Sequence, residues 1–223
     1  MRSLQKRSMR YKLVIFDFDG TIADTSEGII DSHRFALTRM GREVLSDEKL
    51  YSLIGGNLLN IYINHFGFSE SDAREAIKIY RQRYATVGIH KARLYPRFKE
   101  LLVALKRKGL KVGIATLKAE DFARQMVEEL GIAEFFDYIC GMDLHDSLSK
   151  ANLVKKCVSE SRCTLSDTVL IGDTNGDMKG AQEAGTMFVG VSYGFGFKNG
   201  IQYGFTCCAS CEELQRYLLE EYY

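Results

Sequence analysis

Apolar positions along this chain follow two alternating rhythms, broken by one long interruption. Leu13 to Phe18 is a short apolar run that ends among acids, and its length and β-branched content predict a buried parallel strand. Four helical patterns follow with no strand between them. Ile29, His33, Leu37 and Met40 share one helical face, and Gly41 ends it. Shorter helices are predicted over 47–54 and 58–66, and Ala73, Ala76, Ile77, Tyr80 and Tyr84 mark a fourth. Beyond Pro96, the single proline, strands and helices alternate. Phe98, Leu101, Leu102 and Leu105 give a helix closed by Gly109, and Leu110 to Ala115 a strand. Phe122, Met126 and Leu130 give a helix, Tyr138 to Cys140 a short strand, and Leu153 with Cys157 another helix. Strands over 169–171 and 187–191 flank a helix over 177–184, and 214–218 is a final helix.

This alternation implies an α/β fold, a doubly wound parallel sheet with a Rossmann-like core. The helical stretch reads as an all-helical cap inserted after the first strand. The expected division is a core of 9–22 and 95–223, a cap of 23–94 and a flexible basic tail of 1–8. In open α/β sheets the ligand site lies beyond the carboxyl ends of the strands. Polar residues just after Phe18, Ala115 and Ile171 are therefore expected to converge.

Composition narrows the picture without changing it. The 223 residues are enough for a buried core, and 30 basic against 29 acidic residues give a net charge of +1. That balance carries no nucleic-acid or membrane footprint, and no apolar run reads as a signal peptide or a membrane span. Arg2, Lys6, Arg7, Arg10 and Lys12 are read as a solvated tail. Six scattered or clustered cysteines do not make a disulfide scaffold, which predicts a reducing, cytoplasmic setting. Cys207, Cys208 and Cys211 lack a fourth ligand at zinc spacing and are read as thiols near a strand end. His33, His65, His90 and His145 are read as core or surface residues.

The strand-end residues are Asp17 with Asp19, Thr116, and Asp173 with Asp177; Lys150, opening a helix, can join them. Like charges at ~4 Å repel by on the order of 4 kcal/mol at an effective dielectric near 20, so such a cluster needs a cation or some protonation. All-oxygen ligands select a hard ion, and Mg2+ suits sites that share the metal with a phosphate. Two neighbouring carboxylates can divide the labour, one attacking and one moving a proton. Thr116 can donate to a phosphoryl oxygen and Lys150 can neutralise charge. Lys118, Lys155 and Lys156 compete for that last role. Gly20 permits a sharp turn close to a ligand. Candidate substrate contacts are Gly20, Thr21, Leu117 and Lys118, with Asn57 after the Gly55–Gly56 pair in the cap. Arg42, Lys91 and Arg93 are further cap candidates for specificity.

D-x-D-G-T arises by chance in roughly one chain of this length in four hundred. D-F-D-G-T at Asp17–Thr21, Thr116, Lys150 and G-D-T-N-G-D at Gly172–Asp177 resemble the four motifs of the haloacid dehalogenase superfamily. Asp24–Thr25 and the run Tyr193–Gly196 are similar to its phosphoglycolate phosphatase-like branch. The resemblance implies a magnesium-dependent phosphatase acting on a small phosphorylated metabolite. It makes Asp17 the nucleophile and a metal ligand, and Asp19 the acid/base that lends a backbone carbonyl to the metal. Thr116 and Lys150 would hold the phosphoryl group, and Asp173 would ligate the metal, with Asp177 supporting it through water or by orienting Lys150. Two departures are Leu117 between Thr116 and Lys118, and the lack of prolines beside Lys150. A sugar phosphomutase, a dehalogenase or a phosphoacceptor domain would use overlapping groups. Asp19 argues against the second, and Asp19 with the cap against the third.

Overall fold

The computed structural model describes residues 8–143, 147–219 and 221–222. Arg2, Lys6, Arg7 and His145 lie outside the described residues, as does the predicted tail apart from Ser8. Strands are β1 (Ser8–Met9), β2 (Leu13–Phe16), β3 (Ala23–Asp24), β4 (Arg93–Leu94), β5 (Lys111–Ala119), β6 (Tyr138–Met142), β7 (Thr168–Gly172), β8 (Met187–Val191), β9 (Cys207–Cys208) and β10 (Glu221–Tyr222). Helices are α1 (Ser26–Arg39), α2 (Asp47–Tyr51), α3 (Leu58–Asn64), α4 (Glu70–Arg83), α5 (Phe98–Arg107), α6 (Glu120–Glu129), α7 (Lys150–Ser161), α8 (Asn175–Ala184) and α9 (Cys211–Leu219).

The main sheet has six parallel strands in the order β6-β5-β2-β7-β8-β9. Strand β2 is fully buried and reads as an unbroken apolar run because both of its faces are covered. Alternation along it separates the two layers. Val14 and Phe16 face α5, α6 and α9, while Leu13 and Ile15 face α7 and α8. The chain leaves β2 for β5 and β6 on one side, then returns to β7 and β8 on the other. Strand order reverses at β2, which puts the expected ligand crevice above its carboxyl end.

Helices α1–α4 occupy the interval between β3 and β4, which pair antiparallel and close the base of this segment. A π turn, Tyr84–Gly88, continues α4. Glycines at 28 and 88 let that turn sit directly on α1, since a Cβ on Gly28 would strike the Gly88 carbonyl. His33 is buried among Tyr62, Phe66 and Tyr80, with its ring 4.7 Å from that of Tyr80. Among the described residues no helix is long and apolar enough to cross a membrane.

Candidate active site

The ladder of β2 continues one step past its end, where Asp17 N–H donates to Ile171 at 2.9 Å. This step places the Asp17 side chain between the ends of β5 and β7. Lys150 meets it there. The hydroxyl of Ser149 caps α7 and Asn152 answers in a capping box, fixing Lys150 as the first helical residue. Its ammonium lies 2.7 Å from Asp17 Oδ1 and 2.8 Å from Asp177 Oδ1, and donates to the Ala115 carbonyl at 3.1 Å. Gly180 leaves room for the lysine stem, which a Cβ there would strike. The competing lysines go elsewhere, Lys156 to Glu120 and Lys118 to Asp19.

Asp177 serves two purposes. Its Oδ1 holds Lys150, while its Oδ2 accepts from the Thr174 amide at 3.1 Å and from the Thr174 hydroxyl, closing a second capping box at α8. Asp173, at the end of β7, is fully buried. Its Oδ1 accepts from the Thr21 hydroxyl at 3.2 Å and its Oδ2 from the Phe195 amide at 2.7 Å. Gly20, at φ +81°, turns the chain so tightly against Asp173 that a Cβ would collide with its carboxylate.

Asp19 points a different way. Its Oδ1 accepts from the Thr25 hydroxyl at 2.6 Å and pairs with Lys118 Nζ at 3.0 Å. Thr116 Oγ1 accepts from the Lys118 amide at 3.2 Å. A cavity of about 60 Å³ lies between the strand ends and the helical segment. Asp17, Asp19, Thr116 and Lys118 line its floor, and Gly55, Gly56 and Tyr84 its roof. Asn57 is outside that lining, and its side chain instead caps α3 by accepting from the Asn60 amide. Among the lysines and histidines, the sequence does not show the ion pair of Lys118 with Asp19; only its place at the end of β5 hints at it.

Carboxylate oxygens of Asp17, Asp173 and Asp177 lie within 4.8 Å of one another, all three residues buried. Burial, then the charge of Asp177, pushes the Asp17 carboxyl up to about 7 against the pull of Lys150. Burial, then Asp177 and Asp17, pushes Asp173 up to about 8. Burial opposes the charge on Lys150, yet Asp17 and Asp177 hold it above the ordinary lysine range. One ammonium therefore faces three carboxylates. Asp17 Oδ1 is buried, and the Lys150 ammonium at 2.7 Å is its charge partner. An excess of negative charge, with oxygen donors alone, fits a hard divalent cation.

The haloacid dehalogenase-like hydrolase family model matches residues 14–191. The chain belongs to that family. A 5'-nucleotidase of Pseudomonas aeruginosa is 33% identical over 194 residues, covering 86% of this chain and 88% of that protein. A phosphoglycolate phosphatase of Yersinia pseudotuberculosis is 28% identical, with 84% of each covered. The tyrosine-protein kinase PtkA of Mycobacterium tuberculosis is 34% identical over 83% of this chain, which spans 63% of that protein. The crystal structure of a predicted phosphatase from Clostridium acetobutylicum superposes with a TM-score of 0.88 at 29% identity, covering 95% of this chain and 99% of that one. The fold is that of the haloacid dehalogenase-like hydrolases, and the relatives include a 5'-nucleotidase and phosphoglycolate phosphatases.

Proposed function

We propose that the protein hydrolyses a small phosphate monoester in two steps through a phosphoaspartate on Asp17, with magnesium bound. One observation carries the reading. The Asp17 carboxylate stands at the head of the central strand, facing the cavity, with Lys150 at 2.7 Å and a second cavity-lining carboxylate two residues on.

Asp17 attacks phosphorus in line as the ester P–O bond breaks, and Asp19 gives its proton to the departing oxygen, so that an alcohol leaves. Asp19 then takes a proton from water as that water attacks phosphorus. The bond to Asp17 breaks, releasing inorganic phosphate and restoring the carboxylate. Lys150 and the Thr116 hydroxyl hold the phosphoryl oxygens, where charge stabilisation is usually the largest contribution. Asp17, Asp173 and the Asp19 backbone carbonyl would hold Mg2+, which when bound neutralises charge on the transferring group. Asp177 keeps Lys150 in place.

The cavity lies between the strand ends and the helical segment. The helical segment, as a cap over 23–94, therefore swings away to admit substrate and closes to exclude water. Loop Gly55–Gly56 is one part of the cap that lines the cavity. A reducing, cytoplasmic setting belongs to this reading, from the cysteine usage of the sequence.

Turnover in isotope-labelled water tests the reaction. Solvent oxygen entering inorganic phosphate is the expected result. Transfer of phosphate back to substrate, or onto a protein tyrosine, with no labelled phosphate would overturn it.

A further inference from the structure

Among the described lysines of the site, Lys118 has a buried side chain yet pairs with neither Asp17 nor Asp177. Its side chain is 5% exposed, and its ammonium lies 3.0 Å from Asp19 Oδ1 and donates to the Tyr84 hydroxyl at 2.8 Å. The two partners belong to different parts of the fold. Lys118 lies one residue before the end of β5 in the sheet, whereas Tyr84 opens the π turn of the helical segment. That turn is held firmly. Tyr84 stacks on Tyr80 at 5.8 Å, contacts the Phe122 ring at 5.4 Å and lies next to the Gly28–Gly88 contact. A widened helical turn of this kind often marks a functional position. Removing an ion pair from water generally costs as much as it returns, so stability alone does not explain a lysine buried here.

The arrangement at Asp19 is one-sided. Thr25 and Lys118 both engage Oδ1, and no hydrogen bond to Oδ2 is made among the described residues. Oδ1 is thereby clamped while Oδ2 is left for a group in the cavity that Asp19 lines.

We propose that Lys118 is a positioning residue for Asp19, and that Tyr84 sets it, so that the seating of the helical segment aims the acid/base at the leaving oxygen. The inference rests on the phosphatase reading and adds a specific division of labour to it. Lys118 would matter in proportion to how much the leaving oxygen needs a proton. A nitrophenolate leaves without one; a simple alkoxide does not.

The experiment compares 4-nitrophenyl phosphate with a primary alkyl phosphate, with Mg2+, in wild type, Lys118→Met and Tyr84→Phe. General acid catalysis is worth about 10²–10⁴-fold, so Lys118→Met is expected to lose at least about tenfold more kcat/KM, which reports the leaving-group step, on the alkyl ester than on the aryl ester. Tyr84→Phe, which keeps the ring packing, is expected to show the same imbalance to a smaller degree. Equal losses on both esters in the two variants, or no loss, would overturn the inference and leave the phosphatase reading standing. A wild-type protein that releases phosphate from neither ester would overturn that reading, and the inference with it.

Discussion

Lys150 Nζ lies 2.7 Å from Asp17 Oδ1, buried with it beneath the carboxyl end of the sheet. The pair is held in an excess of negative charge, because Asp177 shares the same ammonium at 2.8 Å. Lys150→Met leaves both carboxylates without a cation. Breaking a buried pair typically costs about 3–5 kcal/mol, and loss of one charge-stabilising donor about 10²–10³-fold in kcat. Denaturant unfolding and phosphate release measure the two effects. Mg2+ is expected to restore more stability to this variant than to wild type, and no restoration would count against a shared cluster.

Asp17 and Asp173 make metal binding and pH opposing influences. Their folded values of about 7 and about 8 exceed the ordinary 3.8, so the metal-free fold holds protons that the unfolded chain has released. The sign follows: metal-free stability falls as pH rises through this interval, and Mg2+, which replaces those protons, stabilises more at its upper end. Thermal melts at about pH 5.5 and about pH 8, with Mg2+ or a chelator, test this. Asp173→Asn should lose most of the metal-dependent shift. An equal shift at both pH values, retained in that variant, would contradict the assignment.

Much of this site was legible because strand ends are local features. The apolar run to Phe16 and the acids after it place Asp17, and the capping pairs Ser149–Asn152 and Thr174–Asp177 place Lys150 and Asp177 at helix starts. Strand β9, over Cys207–Cys208, escaped the reading because two residues carry no periodicity; the neighbouring strand supplies the pairing. Strand β5 runs on to Ala119, past the predicted end at Ala115, through Thr116–Lys118, where polar residues are tolerated because the strand borders the cavity. Asn57 follows the Gly55–Gly56 pair, and its side-chain oxygen caps α3, a position this residue type favours. The bond from Lys118 to Tyr84 joins positions 34 residues apart, and no local pattern encodes it.

His33 provides a probe of the helical segment alone. Burial lowers its pKa from 6.5 to about 3, so the folded protein keeps it neutral while the unfolded chain takes up a proton. Its contribution is complete above 6.5 and is lost as pH falls from there towards 3, with a limiting slope of about 1.4 kcal/mol per pH unit. His33→Phe should flatten that acid limb in unfolding measured against pH. An unchanged limb would show that other groups cause it.

The central claim is that Asp17 becomes covalently phosphorylated. Rapid mixing of the protein with Mg2+ and an aryl phosphate, followed by acid quenching and peptide mass spectrometry, tests it directly. A phosphoryl group on the peptide holding Asp17, absent in Asp17→Asn together with all turnover, is the predicted result. Undiminished phosphate release by Asp17→Asn would contradict the account.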